Sequence, residues 1–153
     1  MRHVLGCVVV VVLAACPAGP DEAVVSRVID GDTIELEGGE RVRYLMVNTP
    51  ETTGGKNECY GDNAVTFNSD LVAGKTVILR YDVEREDNFG RTLAYVSVGD
   101  QEINTLIIDR GFGCVLHIPP NGNDRAAEFE SLEQSARAAR RGVWGACDPV
   151  PCT

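Results

Sequence analysis

An acid, an arginine and an oxygen-rich tetrapeptide lie close together in the first third of the chain. Asp32 follows the turn in "VIDGDTIEL", and Arg43 lies inside "RVRYLMV", which runs directly into "NTPE" at 48–51. Carboxylate, amide and backbone carbonyl oxygens, completed by water, are the ligands that a hard cation such as calcium accepts. These residue types therefore predict a calcium site with an arginine beside it.

A predicted hairpin brings these residues to one rim of the fold. If "GG" at 38–39 forms the turn, counting back along both arms places Asp32 opposite about Leu45. Asp32 then lies near both Arg43 and Asn48, and a β-bulge shifts this arrangement by only a residue or two.

Each residue also has a simpler interpretation. Asp32 can bond to local backbone in a turn, and Arg43 can be a solvated residue in a strand. Arg91, which directly follows the loop of a second predicted hairpin, can pair with the acids of that loop. Taken singly, each simpler interpretation is the better one, and only the combination favours a shared site.

The elements that must position these residues are mainly β. Strands are predicted in "AVVSRVID", "TIELE", "RVRYLMV", "KTVILRYDV" and "RTLAYVSV". A helix after the third strand carries Tyr60, Ala64, Phe67 and Leu71 at helical spacing and ends at Gly74.

Two further helices are predicted near the end. Asn104 is predicted to cap a short helix that runs through Arg110, and the last helix runs from about 123 to 141. Five strands, one helix after the third strand and two helices at the end predict a small Greek-key barrel, an α+β fold that is mainly β.

The first residues are typical of an export signal. A basic start precedes an apolar run at 4–15, which is too short for a spanning helix and has the length of a signal-peptide core. "LAAC" resembles the lipobox of bacterial lipoproteins, which implies cleavage before Cys16 and lipid attachment there. An ordinary secretory signal is the alternative.

The charge of the chain disfavours a broad nucleic-acid surface. The formal net charge is −9 at pH 7, and removal of Arg2 with the signal makes it about −10. Phosphates contribute most of the attraction to basic proteins. Any phosphate site must therefore be local, built from a few arginines or from a bound cation that reverses the field.

The cysteines predict disulfides rather than zinc. Cys7 lies in the signal and Cys16 carries the lipid, so four cysteines remain, namely Cys59, Cys114, Cys147 and Cys152. An even number in an exported chain predicts two disulfides, with three possible pairings. We favour a bridge from Cys114 to the tail, which otherwise has little to hold it, and the pairing stays open.

Several separated motifs resemble the staphylococcal nuclease-like (thermonuclease) family. They are "VIDGDTIEL", "RVRYLMVNTPE", "CYGDNA", "NFGRTLAYV" and "LIIDRGFG", in the family's order and spacing. The resemblance implies a five-stranded OB-fold barrel with three helices. It also implies a calcium-dependent phosphodiesterase that acts on DNA and RNA, cleaves the 5′ oxygen–phosphorus bond and leaves 3′-phosphates.

The chain is accordingly divided into four parts. These are a lipoprotein signal peptide at 1–15, a lipidated tether at 16–23, the nuclease-like domain at 24–144 and a cysteine- and proline-rich tail at 145–153. We expect a monomer without a protein partner. The lipid at Cys16 would anchor it outside the cytoplasm, to a membrane of the bacterial cell envelope.

The resemblance implies a calcium site with one departure from the family. Asp32 would bind the ion through its carboxylate and Thr49 through its carbonyl. Asn48 replaces an aspartate ligand, so an amide oxygen is kept and one negative charge is lost. We expect calcium affinity to fall roughly tenfold, because the lost attraction is about 1–2 kcal/mol.

The catalytic residues implied by the resemblance are one carboxylate and two guanidinium groups. Glu51 would orient or deprotonate the attacking water, with help from the cation because a carboxylate is a weak base. Arg43 and Arg91 would grip the phosphate with planar forks that match its transition-state charge.

Substrate contacts also depart from the family pattern. Phe89 replaces a tyrosine whose hydroxyl usually reaches a phosphate, and a basic residue often found at Asn88 is absent. His117 stands where an aromatic ring often stacks on a base, and a surface histidine is the simpler interpretation. Prolines at 119–120 occupy the region of a second aromatic residue. We expect a weaker grip on substrate.

The sequence is compatible with three functions. The first is an active nuclease, the second a nucleic-acid-binding module that lost catalysis, and the third an envelope structural protein that uses the barrel for protein contacts. Glu51 argues against the second, because a carboxylate aimed at phosphate repels it. The polar outward positions of the strands argue against the third.

Overall fold

The computed structural model describes residues 21–152, so Cys7, Cys16 and the predicted signal lie outside the described residues. The strands are β1 Asp21–Asp30, β2 Thr33–Leu36, β3 Arg41–Tyr44, β4 Met46–Asn48, β5 Thr76–Arg80, β6 Thr92–Val98, β7 Gln101–Glu102 and β8 Cys114–Leu116. The helices are α1 Gly61–Val72, α2 Ile103–Asp109, α3 Ala126–Ala138 and the single turn α4 Val143–Ala146.

Five strands close into a barrel. The order is β3-β2-β1-β5-β6, and β6 returns to pair with β3 in parallel. Inward apolar side chains such as Ile34, Val42, Val77 and Val96 are fully buried and form one core. The predicted five-stranded barrel of mainly β class is therefore confirmed, with three helices of more than one turn packed around it.

The register of the first hairpin differs from the prediction by one residue. Thr33 pairs with Arg43, and Tyr44 N–H donates to the Asp32 carbonyl, so Asp32 lies opposite Tyr44 and not Leu45. The reason is the turn: Leu36 N–H donates to the Glu40 carbonyl, which leaves three residues in the loop where two were assumed. Asp32 still lies at the rim beside Arg43.

The third predicted strand is broken after Tyr44. Met46 has a left-handed φ of 63°, which ends β3 and starts β4 in a new direction. β4 leaves the barrel and pairs with β8, with Asn48 opposite Cys114. The residues from Tyr44 to Val47 form an uninterrupted apolar run and are all buried.

The helix boundaries correct two predictions. Asn104 does not cap α2, because it is fully buried inside the helix. Its amide donates to the Leu45 and Ala94 carbonyls and accepts from Val96 N–H, and so ties α2 to the barrel. The observed helix α3, Ala126–Ala138, is shorter than the predicted helix at 123–141. The chain breaks at Gly142, and Val143 begins the separate turn α4.

Two disulfides join the end of the described chain to the rest. Cys114 is bonded to Cys152 and Cys59 to Cys147. The predicted bridge from Cys114 to the tail is therefore confirmed. Within residues 21–152, no helix is long and apolar enough to cross a membrane.

Candidate active site

Arg43 and Asp32 form a buried ion pair at the barrel rim. Arg43 Nη2 is 3.2 Å from Asp32 Oδ2, and the two side chains are 12% and 4% exposed. Arg43 Nη1 also donates to the carbonyls of Tyr44 (2.9 Å) and Val47 (2.6 Å). The guanidinium fills the bend between β3 and β4, so it is not the solvated strand residue that the simpler interpretation required.

Thr49 completes the environment of Asp32. Its N–H and hydroxyl both donate to Asp32 Oδ2, at 2.8 and 3.1 Å, and Thr33 donates to Oδ1. This approach needs a glycine at 31, because a Cβ there would lie 2.7 Å from Thr49 Oγ1 and from Ala64 Cβ. Asp32 is thus fixed by hydrogen bonds from two segments.

Asn48 lies between this pair and the tail. Its Oδ1 is 3.5 Å from Arg43 Nη2, and its Nδ2 donates to the Cys152 carbonyl at 3.2 Å. The backbone of Gly113 also passes close by, since a Cβ there would lie 2.8 Å from the Asn48 carbonyl oxygen. The amide is therefore held at both ends.

Glu51 is half-buried on the loop after β4. Its main chain is clamped by Glu58, whose carboxylate accepts from Glu51 N–H at 2.8 Å and whose N–H donates to the Glu51 carbonyl. Its own carboxylate accepts from Thr53 Oγ1 at 3.0 Å and forms no ion pair among residues 21–152. This carboxylate remains free to hold a water molecule.

Asp30 is a site residue that the sequence analysis missed. It is 4% exposed, and burial raises its pKa to about 6 against the opposing hydrogen bond from Gly31 N–H. The charges of Asp32 and Glu51 push the pKa in the same direction. The available signal was its place at the end of the strand in "VIDGDT", two residues before Asp32.

Arg91 is held by its own loop, as the simpler interpretation proposed. Its Nε donates to Asp87 Oδ2 at 2.7 Å, and its guanidinium lies over the Phe89 ring with 5.5 Å to the centroid. Burial would raise the pKa of Asp87, but the N–H groups of Arg91 and Phe89 and the Arg91 guanidinium hold it below its usual range. The side chain of Arg91 is still 30% exposed.

Both arginines nevertheless line the same pocket, which has a volume of about 290 Å³. Its floor is the bend from Arg43 to Val47, and the loop between β5 and β6 forms a wall that includes Asn88, Phe89 and Arg91. Phe89 and Ile118 are largely exposed on its rim, at 84% and 63%. The pocket thus combines two guanidinium groups with apolar surface and with three acidic residues, Glu84, Glu86 and Asp87.

His117 does not line this pocket, although its neighbours Leu116 and Ile118 do. Its Nε2 is 3.1 Å from Asn123 Oδ1, so the ring already has a polar partner. The apolar neighbours were not singled out in the sequence, because nothing in a short strand end indicates which side chains will face a pocket.

The residues of this rim fit a calcium ion by the chemistry of their donors. In residues 21–152, no three His, Cys, Asp or Glu side chains converge closely enough to hold a metal by themselves. A cation would therefore use the Asp32 carboxylate, the Asn48 amide oxygen, the Thr49 carbonyl and water, all hard oxygen ligands. Burial is the main cause that raises the pKa of Asp30, and the charges of Asp32 and Glu51 add to it, so a cation beside these carboxylates would offset part of that charge.

The structure brings most of the predicted residues together. Asp32 contacts both Arg43 and Thr49, Arg43 also contacts Asn48, and Arg91 shares the pocket with Arg43. Glu51 does not line this pocket. Phe89 lies on the pocket rim and His117 does not.

Comparison with known proteins assigns the family. Residues 41–146 match the family described as Staphylococcal nuclease homologue. The chain is 37% identical over 125 residues to a thermonuclease of Staphylococcus intermedius, which covers 78% of this chain and 74% of that protein. It is 33% identical over 131 residues to an uncharacterized endonuclease of Escherichia coli, with 83% and 79% covered.

A longer relative shows the same domain. The chain is 34% identical over 125 residues to endonuclease YncB of Bacillus subtilis, with 77% of this chain and 59% of that protein covered, so it spans less than two thirds of that relative. The family match covers more than half of the chain and includes Arg43, Glu51 and Arg91. The chain belongs to the staphylococcal nuclease homologue family.

Proposed function

We propose that the protein is a calcium-dependent nuclease that hydrolyses phosphodiester bonds of DNA and RNA. It would cleave the 5′ oxygen–phosphorus bond and leave 3′-phosphates. The observation that carries the proposal is the pocket lined by both Arg43 and Arg91, in which Arg43 is paired with the Asp32 carboxylate. The names of the relatives, thermonuclease and endonuclease, support the same class of reaction.

The two arginines would bind the phosphate that is cleaved. Each guanidinium presents a planar fork of donors, which matches the charge on the phosphate oxygens as it builds toward the transition state. Arg91 keeps part of its surface exposed, so it can exchange Asp87 for a phosphate oxygen. Neither arginine is expected to donate a proton, because guanidinium holds its protons too firmly.

Glu51 would orient the attacking water and accept its proton. Within residues 21–152 its carboxylate accepts a hydrogen bond from the Thr53 hydroxyl alone, and its main chain is fixed from both sides by Glu58. Calcium bound to Asp32, Asn48 and Thr49 would make that water more acidic and offset charge on the phosphate. The weak basicity of a carboxylate is then sufficient.

The apolar rim would contact the bases. Phe89, Leu116 and Ile118 expose apolar surface at the edge of the pocket. Stacking on an aromatic ring tolerates every base, because each base has a π-face. This rim is consistent with action on both DNA and RNA.

A second candidate is a nucleic-acid-binding module without catalysis. It is favoured by the internal pairing of both arginines, Arg43 with Asp32 and Arg91 with Asp87. A binding module gives no reason for the Glu51 carboxylate, which repels phosphate. The two candidates differ in whether nucleic acid is cut or only bound.

Cleavage of single-stranded DNA and RNA of defined sequence tests the proposal. We expect fragments that end in 3′-phosphates, which a phosphatase converts to 3′-hydroxyl ends with a measurable change in gel mobility. Binding without cleavage at every calcium concentration would favour the binding module. Fragments with 5′-phosphate ends would contradict the proposed bond.

We also propose attachment to a membrane of the cell envelope through lipid on Cys16. The support is the sequence "LAAC" at the end of the apolar run, which lies outside the described residues. Cys16→Ser should release the protein from the membrane fraction of the producing bacterium. Equal membrane recovery of both proteins would contradict the anchor.

A further inference from the structure

The described part of the tail, residues 145–152, contacts the candidate site. The contact is made by the main chain of Cys152, whose carbonyl oxygen accepts a hydrogen bond from Asn48 Nδ2 at 3.2 Å. The main chain of Asn48 pairs with that of Cys114 across β4 and β8, and Cys114 is disulfide-bonded to Cys152. The strand pairing, the bridge and the amide hydrogen bond therefore form one closed ring.

Both neighbours of the Asn48 amide require the same orientation. Arg43 Nη2 is a donor 3.5 Å from Oδ1, and the Cys152 carbonyl is an acceptor 3.2 Å from Nδ2. If the amide turned over, its NH₂ would face the guanidinium and its oxygen would face the carbonyl, and both contacts would be repulsive. The amide oxygen is therefore held toward the Arg43–Asp32 pair.

The tail carbonyl also explains an amide at this position. A carboxylate at 48 has no hydrogen to donate, so one of its oxygens would face the Cys152 carbonyl, acceptor against acceptor. The contact between Asn48 and the Cys152 carbonyl is partly buried, so water can separate the two groups only in part. An unpaired acceptor at a buried site is unfavourable.

We propose that the tail is a positioning element of the site. The Cys152 carbonyl, fixed by the Cys114–Cys152 bridge, orients the Asn48 amide so that its oxygen is available as a calcium ligand. The identity of the ion rests on the proposed function, whereas the orientation of the amide does not. Cys152 acts through Asn48 and does not itself contact substrate.

The first test measures the Asn48 side chain directly. The ¹⁵N–¹H spectrum without calcium should show the Asn48 NH₂ signals, assigned by their loss in Asn48→Asp, with slowed hydrogen exchange. In the Cys114→Ala/Cys152→Ala protein these signals should move to the positions of a free amide and lose their protection. Unchanged signals would overturn the proposal.

A matched control removes the other disulfide. Cys59→Ala/Cys147→Ala loses a bridge of similar kind but keeps Cys152 bonded to Cys114, so the Asn48 NH₂ signals should stay in place. If both variants move these signals equally, the Cys152 carbonyl has no specific role and the proposal is wrong. If the double alanine protein does not fold, Cys114→Ala with the chain ended after Pro151 removes the same carbonyl and is measured in its place.

The second test measures calcium binding by calorimetry in four proteins, with and without the Cys114–Cys152 bridge and with Asn48 or Asn48→Asp. Opening the bridge should weaken calcium binding about fivefold with Asn48, because the amide is no longer oriented. The same change should strengthen binding in Asn48→Asp, because the carboxylate is freed from the facing carbonyl. A purely structural bridge would weaken binding in both, and that result would overturn the positioning role.

The two tests separate this proposal from the proposed function. Absence of calcium binding in all four proteins would overturn the calcium site, while the Asn48 signals would still decide whether the tail orients the amide. Calcium binding that does not change with the bridge in either background would overturn the inference and leave the nuclease proposal intact.

Discussion

The two arginines of the pocket are held in opposite ways. Arg43 belongs to the barrel side, where its side chain is 12% exposed and is bonded to two main-chain carbonyls and to Asp32. Arg91 belongs to the loop side, where its side chain is 30% exposed and its ion pair is with Asp87 of the same loop. One guanidinium is part of the fold and the other lies on its surface.

Because the two arginines are held differently, their replacement should have different effects on stability and activity. Arg43 cannot be replaced without loss of buried contacts, because its guanidinium fills the bend that separates β3 from β4. The proposed function requires Arg91 to exchange partners, because Asp87 and a substrate phosphate would compete for the same guanidinium donors. A rigid guanidinium and an adjustable one therefore line the same pocket.

Replacement of Arg43 should have the largest effect, on stability as well as activity. Arg43→Ala leaves the buried Asp32 carboxylate without its cation, which should lower the free energy of unfolding by about 3 kcal/mol. Cleavage should be lost as well. Urea unfolding measures the first effect and a DNA cleavage assay the second.

Arg41→Ala is the matched control for this prediction. Arg41 lies two residues away on β3, is 57% exposed and is 3.7 Å from Glu35. Its removal should change the free energy of unfolding by less than about 0.5 kcal/mol. Equal losses in both variants would contradict the assignment of Arg43 to the fold.

Replacement of Arg91 should separate activity from stability. Arg91→Ala should lower kcat/KM by roughly 10²–10³-fold, while the free energy of unfolding changes by less than about 1 kcal/mol, because its ion pair is partly exposed. Arg91→Lys should recover only part of the activity, since lysine offers a point charge in place of a fork. Steady-state kinetics and urea unfolding measure the two quantities.

Arg85 gives the control for the loop. It stacks on Tyr81 with 4.1 Å to the ring centroid and does not line the pocket. Arg85→Ala should therefore keep cleavage near the wild-type rate. A fall as large as that of Arg91→Ala would mean that the loop as a whole, and not the guanidinium of Arg91, supports activity.

The smallest predicted effect is the pH dependence of the stability that Asp87 contributes. The pKa of Asp87 is lowered in the folded protein, so its ionised form stabilises the loop above the unfolded pKa of about 4. That contribution should be lost as the pH falls through the lower folded pKa. The difference in thermal stability between wild type and Asp87→Asn should therefore be greatest near neutral pH and should shrink in acid, and a constant difference would contradict this linkage.

The sequence predicted the barrel, and it named several residues that the structure places at one rim, whereas the errors have local causes. Strand alternation and helix spacing located the elements, but the first hairpin shifted by one residue because the number of loop residues is not written in "EGGE". Asn104 was predicted to be a cap, since a polar residue before an apolar run does not reveal that its side chain will bond to the main chain of β6. Asp30 was missed because burial, which raises its pKa, depends on the closed barrel.

The most direct measurement compares wild type with Glu51→Gln in single-stranded DNA cleavage, as calcium is raised from a chelated baseline. We predict no cleavage with chelator and increasing cleavage by wild type as calcium rises. The kcat of Glu51→Gln should be about 10²–10⁴-fold lower, with the same fold and similar DNA binding. Equal turnover by the two proteins, or no cleavage by folded wild type at any calcium concentration, would contradict this prediction.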